Sequence, residues 1–230
     1  MVDSQAQQAA FVLHTRPYRE TSMLVDLFTL NEGRVPVVAR GARRAGSQLR
    51  ASLQPFSLLS VRYKGKDELK TLLSAEVVEF SPGLQGRSLL CGLYANELLE
   101  RLLLPLVSLP EMFLFYQYLL NELKSAVDLE SALRAFEQKL LSELGAWPSV
   151  DCKGAEFFCF EPGEGLIPSS QEVKGAIPAN ILAQINAGDF ADQSVRPYAK
   201  FLMRRVLSDL LGEKPLRSRA LFEKRRKTDS

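Results

Sequence analysis

Short runs rich in β-branched and aromatic residues fill the first third of the chain, at residues 9–15, 22–29, 33–39, 54–63 and 70–80. Turn chemistry bounds them: Arg16-Pro17, Asn31-Glu32-Gly33, residues 41–47 and Lys64-Gly65-Lys66-Asp67. Five such strands predict a small closed barrel, because an open sheet this short would leave its edges exposed. Strand count and length fit an oligonucleotide-binding (OB) barrel, with an SH3-like barrel as the alternative.

Ser81-Pro82-Gly83 breaks the pattern, and a helical period follows. Residues 88–105 are apolar at 89, 90, 93, 94, 98, 99 and 102. Residues 111–123 are apolar nearly all round, which predicts a helix at the centre of a bundle. Asp128 is the expected N-cap of a helix over 129–144 that Gly145 stops. Two more helices are expected at 178–187 and 195–211, and a frayed basic tail at 223–227. Residues 147–176 mix Pro, Gly and Cys without a helical period and read as an irregular insert. The expected fold class is α+β: an OB-fold β-barrel domain over 1–80, then a mostly helical domain over 81–230 containing the insert.

Charge sharpens this picture. Residues 1–70 hold 11 positives against 6 negatives, 71–200 hold 9 against 17, and 201–230 hold 9 against 4. The net charge of +2 thus hides basic ends and an acidic middle. From Gly33 to Lys66 there is no Asp or Glu, while Arg34, Arg40, Arg43, Arg44, Arg50, Arg62, Lys64 and Lys66 all fall there. A surface that excludes carboxylates suits a polyanion, so these eight are the candidate DNA-binding residues; a solvated basic loop is the plainer alternative. The 40–50 segment is expected to be a flexible loop that tracks a phosphate backbone. Tyr18, Phe56 and Tyr63 are the aromatics in reach of bases. Phe56 is better read as barrel core, and Tyr63, between Arg62 and Lys64, as the stacking residue. Lys214, Arg217 and Arg219 offer a second phosphate contact or, alternatively, solvated charge at a helix C-terminus.

Catalytic signatures are missing. His14 is the single histidine, there is no Gly-x4-Gly-Lys-Ser/Thr and no Gly-x-Ser-x-Gly, and the acidic pairs Glu97/Glu100 and Glu143/Asp151 fit a charged helix face. Cys91, Cys152 and Cys159 lack Cys-x-x-Cys spacing, so no zinc and no other cofactor is expected. The low cysteine count fits a reducing cytoplasm. No basic segment leading into an apolar run opens the chain, and no apolar stretch reaches ~18 residues, so neither a signal peptide nor a membrane span is expected. The reading is a non-enzymatic DNA-binding protein. An adapter whose basic loop meets an acidic protein, or a nuclease with a concealed site, are the other classes.

Several segments carry a resemblance. Ala10-Phe11-Val12-Leu13-His14, Glu20-Thr21-Ser22, Gly33-Arg34-Val35, Ala39-Arg40-Gly41-Ala42-Arg43-Arg44 and Leu53-Gln54-Pro55-Phe56 occur in order. Leu93-Tyr94-Ala95-Asn96-Glu97-Leu98-Leu99, Ala132-Leu133-Arg134-Ala135-Phe136-Glu137 and Gly212-Glu213-Lys214-Pro215-Leu216-Arg217-Ser218-Arg219 follow. Together the chain resembles the RecO family of bacterial recombination and repair mediators. The resemblance implies an OB barrel followed by a helical domain, binding to single- and double-stranded DNA, strand annealing, and a cytoplasmic, nucleoid-associated location. It implies work with RecR to load RecA onto DNA coated by single-stranded-DNA-binding protein, with RecF an indirect partner. Some members carry a four-cysteine zinc module where 147–176 stands; here only Cys152 retains such a position, so the module is degenerate. The resemblance also implies capture of the coating protein's acidic C-terminal tail. Arg134 would take the terminal carboxylate, Leu133, Phe136 and Leu140 would flank it, and Leu93, Tyr94 and Leu98 would form the other wall. The alternatives are a surface ion pair of Arg134 with Glu137 or Glu130, and core packing for the α-helical apolar residues.

Overall fold

The computed structural model describes residues 7–152 and 154–228, with side chains through Phe222. The chain forms two compact units, residues 1–126 with 216–230, and residues 127–215.

In the first unit, β1 (Gln8–Tyr18), β2 (Ser22–Thr29), β3 (Gly33–Ala39), β4 (Leu58–Lys64) and β5 (Lys70–Glu79) close a barrel in the order β1-β2-β3-β5-β4. All pairs are antiparallel except β3 with β5, where Val37 and Val38 lie beside Lys70 and Thr71. Alternation decides which side chains face in. In β3, Val35, Val37 and Ala39 are buried while Arg34, Pro36 and Val38 are less so. With Val12, Val25, Leu27, Leu59, Val61, Tyr63 and Leu72 they fill the interior. Arg16-Pro17, expected in a turn, lies inside β1, and the turn comes at Arg19, whose φ is 50°. A short helix α1 (Gln48–Ser52), not anticipated, follows the basic loop.

The helices α2 (Gly86–Leu102) and α3 (Pro110–Ser125) cover the outside of β1 and β2. Phe11 and Phe28 meet Phe113 at ring-centre distances of 5.2 and 5.5 Å, and Phe11 meets the Tyr116 edge at 5.1 Å. So α3 is not a bundle centre: one face packs on the barrel, while Leu114 and Tyr118 are exposed. At the β1 bulge, Asn96 donates to the carbonyls of Val12 and Leu13 at 3.2 and 3.1 Å, and its Oδ1 accepts from the Tyr116 hydroxyl. The bulge frees carbonyls from the ladder, and a buried amide satisfies them. Burial pushes the Tyr116 hydroxyl far above its ordinary pKa, so it remains a donor. Phe56 is buried, as the apolar reading requires, but against α2. A methyl on Gly92 would come 2.9 Å from its ring, so only glycine fits there.

After α2 the chain lies over the β2–β3 turn. Leu106 N donates to Arg34 O at 2.8 Å, and a methyl on Gly33 (φ +65°) would fall 1.8 Å from Val107 O. Gly33→Ala therefore combines backbone strain with a clash against main chain. It should cost about 2 kcal/mol or more, read as a lower midpoint in denaturant melts.

The last helix of this unit is α7 (Arg217–Thr228), where a frayed tail was expected. Glu97 caps it: its carboxylate accepts from Arg217 N and Ser218 N, both at 2.8 Å, and from the Ser218 hydroxyl at 2.6 Å. Burial alone would raise the Glu97 carboxyl. The Ser218 and Arg217 hydrogen bonds and the Arg101 charge outweigh it and hold the group below the ordinary carboxylate range. A depressed folded pKa adds stability above the unfolded value of ~4.3, and loses it as pH falls through the folded pKa. Replacing the cap by Glu97→Ala should cost about 1 kcal/mol at neutral pH. The gap between wild-type and variant melting temperatures should then narrow below about pH 4.

The second unit holds α4 (Leu129–Glu143), a three-stranded sheet in the order β7-β6-β8, α5 (Ala179–Asn186) and α6 (Arg196–Leu211). Asp128 caps α4 as expected, accepting from Ser131 N at 3.1 Å. The region read as irregular instead contains a hairpin of β6 (Phe157–Glu161) and β7 (Gly165–Ser169), completed by β8 (Ile177–Pro178). Its strands are five, five and two residues long, too short for a periodic signal.

Candidate nucleic-acid interface

The basic residues of the barrel separate into an outward set and one inward residue. Arg40 is exposed at the end of β3, and Arg43 and Arg44 are exposed in the following turn. That segment is held to the barrel by main-chain hydrogen bonds and one core residue. Ala42 is part of the barrel core, Arg43 N donates to Thr21 O at 2.9 Å, and Arg44 N donates to Gly41 O at 3.1 Å. Ser47 then caps α1, which carries the exposed Arg50. Arg43 also donates through Nη1 to Arg19 O at 3.0 Å, tying this turn to the β1–β2 turn. Arg19 is thereby part of the same cationic edge and lies over the Tyr18 ring, 5.2 Å from its centre. Sequence reasoning missed it because Glu20 follows immediately and places it outside the acid-free stretch.

Arg62 and Lys64 are exposed on β4 and Lys66 in the β4–β5 hairpin. Arg62 Nε donates to Ser74 Oγ across the strands at 3.1 Å, which lays the guanidinium along the outside of the barrel. Among the described residues, Arg40, Arg43, Arg44, Arg50, Arg62, Lys64 and Lys66 make no ion pair. Arg134, Arg196 and Lys200 in the second unit each meet a carboxylate. Seven cations that face solvent without carboxylates are a surface suited to phosphates.

Arg34 does not belong to this set. Its Nη1 lies 3.0 Å from Asp26 Oδ1 and its Nε donates to Leu103 O at 3.0 Å, so it ties the barrel to the segment after α2. His14, Asp26 and Glu100 bring possible ligand atoms within 4.8 Å of one another, but the positive charge there is supplied by Arg34. Tyr63 is no stacking residue either: it is 1% exposed and points into the barrel, with Gln8 Nε2 donating to its hydroxyl. The period-2 rule accounts for this, since Val61 and Tyr63 share the inner face and Arg62 and Lys64 the outer.

The other expected sites are reassigned. Arg217 and Arg219 open α7 rather than close a helix, so the dipole opposes their charge and Glu97 counters it. Arg219 is half-buried, while Lys214 is exposed in the second unit. In α2, Tyr94 and Leu98 are buried and Leu93 partly so. In α4, Leu133, Phe136 and Leu140 are buried, and so is Arg134, 6% exposed. Arg134 Nη2 donates to Glu137 Oε1 at 3.0 Å and Nη1 stands 2.9 Å from Oε2. The arginine does pair with Glu137, but in the interior instead of on the surface or at the rim of an open pocket. Cys152 Sγ lies 3.9 Å from Asn186 Nδ2 and 3.8 Å from Val150 O.

A closed five-stranded barrel of this strand order, cationic outside, defines an OB-like barrel joined to helices. Residues 1–80 match the family described as Recombination protein O N terminal, and residues 84–176 that described as Recombination protein O C terminal. The chain is 41% identical to DNA repair protein RecO of Nitrosospira multiformis, covering 96% of this chain and 97% of that one. It is 42% identical to the same-named protein of Marinobacter nauticus, over 94% and 93% of the two chains. The chain belongs to the RecO family of DNA repair proteins. No helix among the described residues is long and apolar enough to cross a membrane.

Proposed function

We propose that this protein is a non-enzymatic recombination mediator. It binds single- and double-stranded DNA on the cationic face of its barrel, anneals complementary strands and, with RecR, helps load RecA onto DNA coated by single-stranded-DNA-binding protein. The observation that carries the reading is the set of outward cations without carboxylate partners on an OB-like barrel in a chain of this family. Two DNA strands repel through their phosphates. A surface that neutralises both lowers that repulsion without reading sequence, which is the physical content of annealing.

A ligand carboxylate at Arg134 would have to displace Glu137 from a buried pair. The test is annealing of complementary oligonucleotides, bare and coated with single-stranded-DNA-binding protein, with and without RecR. Acceleration on both substrates, lost when Arg40, Arg43 and Arg44 become Ala, supports the reading. Binding to an acidic protein with no annealing would instead favour the adapter.

A further inference from the structure

The outside of β5 carries apolar side chains that the fold does not bury. The strand bulges twice against β4: the register passes from Arg62↔Ser74 to Tyr63↔Leu72, and from Leu58↔Glu79 to Leu59↔Val77. The extra residues are Leu73 and Val78, 45% and 63% exposed. A bulge re-aims a side chain out of the regular alternation and can be placed for that purpose.

The two bulges differ in their charge surroundings. Val78 adjoins Glu79 and lies two residues from Glu76. Leu73 lies beside Ser74, whose cross-strand partner is Arg62, and two residues beyond Thr71, whose partner is Lys64. On the other side, Val38 pairs with Thr71, which sets Arg40 as far beyond Val38 as Leu73 is beyond Thr71. The nearest acids in sequence, Asp67, Glu68 and Glu76, lie at the hairpin tip and farther along β5.

An exposed leucine among three cations gains little from a duplex, which presents phosphates and sugars and keeps its bases stacked within. A single strand offers apolar base faces beside its phosphates. We propose that Leu73, framed by Arg40, Arg62 and Lys64, contacts bases and gives this face a preference for single-stranded over duplex DNA. The inference rests on the DNA-binding reading above and adds a residue that discriminates between two forms of the same polyanion.

The test uses the full chain with Leu73→Ser and Leu73→Phe, a homopyrimidine oligonucleotide and a blunt duplex of equal length. Leu73→Ser should weaken single-strand binding about fivefold, as for re-exposing a partly buried leucine, and leave duplex binding unchanged. Leu73→Phe should strengthen single-strand binding about threefold through stacking. It also keeps the test decisive if the serine variant fails to fold. Equal changes on both substrates, or no change in either variant, would overturn the role of Leu73. The variant lacking Arg40, Arg43 and Arg44 separates the two claims: if it binds both DNAs as wild type does, the DNA-binding reading itself fails.

Discussion

Replacing Arg134 by Ala is expected to destabilise the second unit by about 3–5 kcal/mol, the scale for removing one partner of a buried ion pair. Arg134 and Glu137 sit one turn apart on α4, 6% and 1% exposed. The truncation takes the guanidinium away from a buried carboxylate and leaves a cavity, and both the lost attraction and the cavity count against folding. The reciprocal experiment separates pairing from packing. Arg134→Met with Glu137→Leu fills similar volume without charge and should cost less than Arg134→Ala alone. Denaturant melts of the three proteins measure both outcomes. A small effect of Arg134→Ala would mean that the guanidinium is held by solvent rather than by Glu137.

The second large effect concerns salt. If about five of the seven outward cations touch single-stranded DNA, the log–log salt slope should be about −3.5, at ~−0.7 per contact. Arg40, Arg43 and Arg44 changed to Ala should bring it to about −1.4, with binding near 0.1 M salt weakened about a hundredfold. Arg34→Ala should leave the slope unchanged, because that guanidinium is bound to Asp26 and Leu103, and lower stability instead. Fluorescence titrations at several salt concentrations read the slopes directly. A slope unmoved by the triple change would put the DNA elsewhere on the molecule.

The barrel was legible because its strands are short runs rich in β-branched and aromatic residues and Gly33 marks the turn between β2 and β3. α4 was legible because Asp128 and Gly145 punctuate it at both ends. The small sheet of the second unit was not: Phe158 and Phe160 do alternate, but a two-residue strand such as Ile177–Pro178 has no period to detect. In the candidate interface, the exclusion of acids picked out the outward cations. It could not reveal that Asp26, on the neighbouring strand, removes Arg34 from them. Nor does it include Arg19, joined to the loop only through the Arg43 hydrogen bond. Arg134 stands on the same helix face as core residues, and no local signal distinguishes an arginine aimed at a ligand from one paired with the carboxylate one turn on.

The cap that Glu97 places on α7 has a consequence for the order in which the chain acquires structure. Residues 127–215 are inserted between α3 and α7, so the unit that begins at the barrel is completed only by α7. Because Glu97 and Ser218 are 121 residues apart, their contact closes a long loop, and its entropy must be met before the carboxylate finds its donors. During synthesis, β1 to β5 and the inserted unit can each form as they emerge, while Glu97 on α2 waits for its partner until α7 has been made. Until then Glu97 has neither the Arg217 nor the Ser218 amide to accept from, and the stabilisation it provides arrives only after the inserted unit has been made.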